Sequence, residues 1–188
     1  MIKINQLEQE RRIVGEITKN KEKKPNKYRF LFRFIRKTVV LVLIIVFLLT
    51  VVFKIFRMTG NNMSPYVRDG DLCIFYRLDK IYLNDVVLYE DENGKERVGR
   101  VVASGGQKVE FAQEGGYQVD DYQPTEENPY ETYKAEKGNV KYPLQLKTDE
   151  YFMLNDFRKI TTDSRELGGI KKSQIKGKLL FLMRRRSF

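Results

Sequence analysis

The feature that most constrains this chain is a long apolar run near its N-terminal end. Residues Thr38–Phe53 contain no charged side chain, in a protein of 188 residues. As a helix, this run spans about 24 Å at 1.5 Å per residue, close to the thickness of a membrane hydrocarbon core. Ile55 and Phe56 extend its apolar surface. We therefore predict a transmembrane anchor over residues 38–56.

Two other interpretations of the run are a cleaved secretory signal and a buried core helix. A signal normally has a short basic region before the run and small residues at a cleavage site after it. Here 37 residues precede the run, and the bulky segment Lys54-Ile55-Phe56-Arg57-Met58 follows it. These features favour an uncleaved anchor, with residues 57–188 as a separate domain.

The basic residues of the chain are concentrated before the apolar run. Residues 1–37 hold twelve of the 35 Lys and Arg but only four of the 25 Asp and Glu, so this tail accounts for most of the formal charge of +10. Residues 57–188 are nearly neutral, and we expect no nucleic-acid partner. A basic flank on the N-terminal side predicts a cytoplasmic tail and an extracellular domain on a single-pass protein of the cell membrane.

Two residue counts exclude common catalytic and metal sites. The chain has no histidine, which excludes Ser-His-Asp and Cys-His catalysis and most zinc sites. Its one cysteine, Cys73, lies in an apolar segment and is predicted to be a core residue and not a nucleophile. We predict no metal ion and no cofactor.

Short segments rich in Val, Ile, Tyr and Phe follow the anchor and alternate with turn signals. Asn93-Gly94, between two of them, predicts a hairpin. The pattern predicts a mostly β fold: one small domain of several short antiparallel strands, preceded by one transmembrane helix. The predicted strands are Leu72–Tyr76, Val86–Tyr89, Val98–Ala103, Lys108–Ala112, Tyr117–Val119, Glu150–Leu154 and Leu179–Met183.

Three motifs occur in a fixed order along the predicted β-domain. The first is Gly60-Asn61-Asn62-Met63-Ser64-Pro65, followed by Gly70-Asp71. The second is Arg97-Val98-Gly99-Arg100-Val101-Val102, and the third runs from Asn155 through Asp163-Ser164-Arg165 to Gly168. In order, spacing and topology the chain resembles the type I signal peptidases, membrane serine proteases that remove signal peptides.

The resemblance implies that both catalytic positions are altered. In the family, the residue at position 62 is the serine nucleophile and the residue at position 99 is the lysine general base. Asn62 offers a carboxamide, which is a very poor nucleophile, and Gly99 offers no side chain to accept a proton. We therefore expect a pseudoenzyme with no catalytic residues.

The third motif keeps more of the family pattern. The resemblance implies that Asp163 and Arg165 form a structural ion pair, and that Thr161 replaces a serine that positions the lysine. Asn155 and Phe157 replace Gly and Asn. We interpret this motif as a structural family box that maintains the fold. Its residues are Asp156, Arg158, Thr161, Asp163, Ser164 and Arg165.

Signal peptidases hold their substrate as an extended peptide beside the strands that carry the dyad, and the resemblance implies a similar groove here. We expect Gly99 to leave room for close approach of a peptide backbone. The expected groove residues are Gly60, Asn61, Asn62, Met63, Val98, Gly99 and Arg100.

Signal-peptidase-like proteins without the dyad occur in Gram-positive pilus gene clusters, and this sequence is similar to them. The resemblance implies a membrane-anchored chaperone or assembly factor required for sortase-dependent pilus polymerisation. Pilin subunits are the expected partners, and a pilus sortase is a further candidate. Two alternatives stay open: an active signal peptidase that uses displaced residues such as Ser64 with Lys95, and a purely structural membrane protein.

Overall fold

The computed structural model describes residues 9–14, 27–125 and 128–184. The chain divides into two compact units, Met1–Phe47 and Leu48–Phe188. Residues 9–14 of the first unit are helical. All of the residues discussed below as a candidate site belong to the second unit.

A long helix, α1, runs over Lys27–Val52. Within its segment Tyr28–Val52, an 18-residue stretch reaches a mean hydropathy of 2.6 and contains no buried side chain, so the helix is long and apolar enough to cross a membrane. The helix begins before the predicted anchor, since aromatic and aliphatic residues already alternate with the arginines there. It also ends earlier, and Ile55 and Phe56 lie in a strand instead, because from Phe53 onward the backbone pairs with a neighbouring strand.

The second unit is built from short strands, one helical turn and a 3-10 turn. In chain order the elements are β1 Phe53–Arg57, β2 Leu72–Tyr76, β3 Val86–Glu90, β4 Glu96–Ser104, β5 Lys108–Phe111, β6 Tyr117–Val119, β7 Leu144–Gln145, β8 Glu150–Leu154, α2 Ser164–Leu167, β9 Ile170–Lys171, a 3-10 turn Lys172–Gln174 and β10 Ile175–Met183. This confirms the prediction of a mostly β fold after one apolar helix.

The strands form two antiparallel sheets. The larger has the order β1-β2-β10-β3-β4-β8-β9, and the smaller has the order β6-β5-β7. The last strand, β10, lies between β2 and β3 and pairs with both. The Asn93-Gly94 hairpin is present between β3 and β4, where the Asp91 carboxylate accepts hydrogen bonds from the amides of Asn93 and Lys95 at 3.0 and 2.9 Å.

Buried side chains divide into clusters on the faces of the sheets. One cluster includes Met63, Cys73, Phe75 and Val98, and another includes Val87, Tyr89, Val101 and Met153. Burial, and then the nearby Asp71 carboxylate, raises the pKa of the Cys73 thiol to about 11. A thiol that stays protonated at neutral pH is a poor nucleophile. Cys73 is therefore a core residue, as predicted.

Candidate functional site

The loop between β1 and β2 is fixed at its base and by its apolar side chains. At the base, the amide of Met58 donates to the carbonyl of Asp71 at 2.8 Å. Further along, Met63 and Val67 are fully buried and anchor the loop in the core. Asn62, which precedes Met63, is thereby held in one position over the sheet.

The Asn62 carboxamide links three segments. Its Nδ2 donates to the carbonyl of Val98 in β4 at 3.5 Å and to Oδ1 of Asn155 at 3.2 Å. The buried Asn155 donates in turn through Nδ2 to the carbonyl of Ile160 at 2.9 Å. Because a carbonyl can only accept, this network fixes the orientation of both amides. Val98 directly precedes Gly99, so the structure brings Asn62 to the strand that carries Gly99.

The side of Gly99 on which a side chain would lie is not open. A Cβ atom at this position would come within 3.2 Å of Cε1 of Tyr89 and 3.3 Å of Cβ of Met153. Both neighbours are fully buried core residues. On this side Gly99 faces the packed core, so a bulky residue there would disturb the core. Close approach of a peptide backbone to Gly99 stays a prediction for the other atoms of this residue.

Two residues expected in the groove are core residues. Met63 and Val98 are 0% and 1% exposed and pack with Phe75. Their side chains are therefore closed to a ligand, and only backbone atoms of these two residues are able to contact one. Four other residues of the expected set are exposed or half-buried: Gly60, Asn61, Asn62 and Arg100.

Strand β4 has an open edge beside Asn62. Strand β3 pairs with residues 96–100, whereas β8 pairs with β4 only over residues 100–104. In the part of the chain that the structure describes, no strand pairs with residues 96–99 on the β8 side. Hydrogen-bonding groups alternate between the two sides of an antiparallel strand. Those of Val101 point toward β3, where its amide donates to Asp85, so those of Val98 point toward the open edge, where its carbonyl already accepts from Asn62.

Arg100 joins the end of this edge to the segment after β8. Its Nε and Nη2 atoms donate to the two carboxylate oxygens of Asp156, each at 2.7 Å. Its Nη1 atom donates to the carbonyl of Asn84 at 2.9 Å, and its guanidinium lies 5.1 Å from the ring centroid of Tyr66. A bidentate ion pair of this kind fixes the relative orientation of the two side chains in addition to pairing their charges. It connects a residue expected in the groove with one expected only to maintain the fold.

Asp163 and Arg165 form the ion pair that the resemblance implied, and both side chains are fully buried. Nε and Nη2 of Arg165 donate to the two Asp163 oxygens at 2.9 and 2.8 Å. The same guanidinium donates to the carbonyls of Arg158, Ile160 and Tyr133 at 2.8, 2.7 and 3.2 Å. One buried side chain therefore holds the whole loop from β8 to α2.

The other residues of the third motif also make contacts within the fold. The amide of Met153 donates to Oγ of Ser164 at 2.9 Å, which joins β8 to α2. The hydroxyl of Thr161 donates to the carboxylate of Glu166. Thr161 thus has a partner in its own loop, and Arg158 is buried.

Comparison with known proteins places these motifs in one family. The model of the family described as "Signal peptidase, peptidase S26" matches residues 31–183. The chain belongs to this signal peptidase family.

Individual members of the family are distant relatives. Signal peptidase IB of Staphylococcus aureus strain Mu50 is 26% identical over 146 residues, which cover 67% of this chain and 75% of the relative. The same protein of strain COL is 25% identical over the same lengths. A solved signal peptidase I from Enterococcus faecalis V583 is 18% identical, with a TM-score of 0.46, over 55% of this chain and 100% of its own.

The side chains of Asn62 and Gly99 do not themselves supply the groups that acyl transfer needs. Acyl transfer needs a nucleophile and a base that accepts its proton. The Asn62 amide supplies neither, and it is already engaged with Val98 and Asn155. Gly99 has no side chain.

Ser64 and Lys95 are not assembled as a replacement pair. Ser64 is half-buried in the loop, whereas Lys95 is exposed in the turn between β3 and β4. Within the described residues, no hydrogen bond joins them.

Sequence reasoning missed the roles of Asn155 and Tyr89. Asn155 was recognised as a replacement of a family glycine, but nothing in the sequence indicated that its amide would bind Asn62. Tyr89 lies in an apolar run that predicted its burial, yet its contact with Gly99 depends on strand register. The Tyr89 hydroxyl has no hydrogen-bond partner among the described residues. Burial, and then the Asp163 carboxylate, raises the pKa of this phenol.

We expect Asn155→Ala to lower the free energy of unfolding by about 1–3 kcal/mol, because it removes two hydrogen bonds of the network, one to the Asn62 amide and one to the Ile160 carbonyl. Urea denaturation followed by circular dichroism measures this loss. Asn139→Ala, at an exposed position, is the matched control and should change stability by less than about 0.5 kcal/mol. Equal effects of the two substitutions would contradict a stabilising role for the network.

Proposed function

We propose that this protein is a catalytically degenerate member of the signal peptidase family that binds an extended peptide and does not cleave it. The observation that carries the proposal is the open edge of β4 at residues 96–99, with the inert Asn62 amide beside it. An extended peptide adds to such an edge as a further strand, through backbone hydrogen bonds. Binding of this kind requires neither a nucleophile nor a base.

The cellular setting that we propose is pilus assembly. By its similarity to dyad-deficient proteins of pilus gene clusters, the protein acts as a membrane-anchored chaperone that presents a pilin to a sortase. Helix α1 is the anchor in this proposal. The basic residues before its apolar part favour a cytoplasmic N-terminus and an extracellular β-domain.

Backbone-methylated peptides test the binding mode directly. Two versions of one capped octapeptide are N-methylated at alternate residues, one at the odd positions and the other at the even positions. In a strand, only one of these sets of N–H groups faces β4. With the full chain in detergent micelles, isothermal titration calorimetry should show about ten-fold or greater weakening for one version and little change for the other.

Equal affinity of both methylated versions and of the unmethylated peptide would contradict binding along the strand edge.

Deletion of the gene tests the proposed role in pilus assembly. It should stop formation of covalent pilus polymers while pilin monomers accumulate. The purified full chain should cleave neither a preprotein nor a pilin precursor. Normal polymers in the deletion strain would refute a role in assembly.

A second candidate function is an active signal peptidase that uses displaced residues. The names of its relatives favour this function, and Ser64 supplies a hydroxyl two residues after Asn62. Cleavage of a preprotein by the purified full chain, abolished by Ser64→Ala and by Lys95→Met, would establish it. Cleavage that persists in both variants would indicate a contaminating peptidase.

A further inference from the structure

The first part of α1 carries positive charge along one face. Its cations are Arg29, Arg33, Arg36 and Lys37, at positions i, i+4, i+7 and i+8, and all four residues are exposed. Successive residues of an α-helix are about 100° apart around its axis, so these four lie within a sector of about 100°. We call them the cationic stripe. The rest of the helix surface at this level is apolar and is formed by Tyr28, Phe30, Leu31, Phe32, Phe34 and Ile35.

No acidic residue of the helix balances the cationic stripe. The helix contains no Asp or Glu, and the sequence has none from Lys23 to Arg68. Along a helix, side chains interact most closely with residues three or four positions away. For the stripe, every such position lies in this segment without acidic residues. The stripe therefore requires anions from outside the helix.

As a membrane anchor, α1 would hold its cationic stripe at the level of the lipid headgroups. Its 26 residues span about 39 Å at 1.5 Å per residue, whereas a hydrocarbon core is about 30 Å thick. The excess length falls at the charged end, because Thr38–Val52 has no charged side chain that must lie outside the core. Aromatic side chains are frequent at this level, and long basic side chains extend from it toward the lipid phosphates.

We propose that the cationic stripe binds the phosphate groups of anionic phospholipids. The inference rests on the proposed role of α1 as the anchor and is independent of peptide binding to β4. Basic residues next to a membrane span attract anionic headgroups, and arginine donates paired hydrogen bonds to phosphate. A lipid is favoured over an acidic protein partner because apolar side chains of the same turns flank the stripe and suit contact with acyl chains.

The test measures which lipids bind the full chain in detergent micelles that contain phosphatidylglycerol and phosphatidylcholine in equal amounts. Native mass spectrometry counts the bound molecules of each lipid. We expect a preference of about ten-fold or greater for the anionic lipid, because several cations act together. Arg29→Gln/Arg33→Gln/Arg36→Gln should reduce this preference to less than about three-fold. Equal binding of the two lipids by the unaltered chain would refute the inference and leave the peptide-binding proposal standing.

Two controls identify the site and the ligand. Lys137→Gln/Lys141→Gln/Lys159→Gln removes the same number of positive charges from exposed positions of the β-domain and should leave the preference unchanged. Excess inorganic phosphate should not displace the bound phosphatidylglycerol, because acyl chains keep the headgroup concentrated beside the helix. A preference lost in the lysine variant would mean that the net charge of the chain determines it. Displacement by phosphate would identify a free anion as the ligand, and either result would overturn the proposal.

A further variant tests the one-sided arrangement of the charges. Leu31→Arg/Arg33→Leu/Ile35→Arg/Arg36→Ile keeps the composition and the net charge but moves two arginines to the opposite face of the helix. We expect the lipid preference to fall by about three-fold or more, because no face then holds more than two of the cations. Circular dichroism checks that the variant keeps its helix content. A preference equal to that of the unaltered chain would refute the stripe as the binding site.

Discussion

Arg165→Met is expected to destabilise the β-domain by about 3–5 kcal/mol, because it leaves the fully buried Asp163 carboxylate without its partner. It also removes the donors to the carbonyls of Arg158, Ile160 and Tyr133, so the loop between β8 and α2 loses its internal support. For a domain of this size, the loss corresponds to a fall in melting temperature of roughly 10 °C or more. Thermal unfolding of the purified chain, followed by circular dichroism, measures it.

Two comparisons make this expectation specific to the buried pair. Arg68→Met, at an exposed arginine of the loop between β1 and β2, removes the same charge and should shift stability by less than about 0.5 kcal/mol. The double variant Asp163→Leu/Arg165→Met should be less unstable than the sum of the single variants, because no buried charge is left alone. Additive losses would mean that the pair contributes little beyond packing.

The second large effect concerns introduction of a serine and a lysine at positions 62 and 99. We expect Asn62→Ser/Gly99→Lys to remain without measurable peptidase activity, although it supplies a hydroxyl and an amine. The Asn155 amide occupies the hydrogen-bonding position beside the side chain of residue 62, where the base would have to lie. A lysine at position 99 must also displace Tyr89 and Met153, at a cost of about 1–3 kcal/mol for overpacking.

Adding Asn155→Gly to that pair clears the position beside residue 62, and we expect the triple variant to cleave a signal-peptide substrate at least about 100-fold faster than the double variant. Asn155→Gly alone is the matched control and should be inactive, since it restores neither group. Mass spectrometry of the products identifies the cleaved bond. Comparable cleavage by the double and triple variants would show that Asn155 does not obstruct the dyad.

The strands were predicted correctly where a short run of strand-forming residues is bounded on both sides by turn-forming residues. The limits of β2, β6 and β8 match the predicted segments because each is a short apolar run between polar or glycine-containing turns. Strand β1 was missed because its apolar residues Phe53, Ile55 and Phe56 were assigned to the anchor. Its pairing with β2, from Phe53 with Tyr76 to Arg57 with Leu72, distinguishes it from the helix, and such non-local pairing leaves no mark in the local sequence.

In the candidate site, too, residues in local motifs were predicted, whereas contacts between distant segments were not. The motifs located Asn62, Gly99 and the pair Asp163 and Arg165, because each residue belongs to a recognisable local pattern. Sequence could not show that Met63 and Val98 point into the core, or that Asn155 binds Asn62 across 93 positions of the chain. These facts depend on register and on tertiary packing. The peptide-binding proposal therefore rests on the backbone edge of β4 more than on the side chains first expected to line a groove.

The position of β10 has a consequence for how this protein is made. Strands β2 and β3 do not pair with each other, and β10 joins them in the sheet. A polypeptide in which β10 has not yet been synthesised therefore exposes one unsatisfied edge on each of these strands, and such edges are sites of aggregation and of chaperone recognition. Premature stop codons before residue 175 remove this central strand completely, so a truncated product loses the sheet and not merely its C-terminal end.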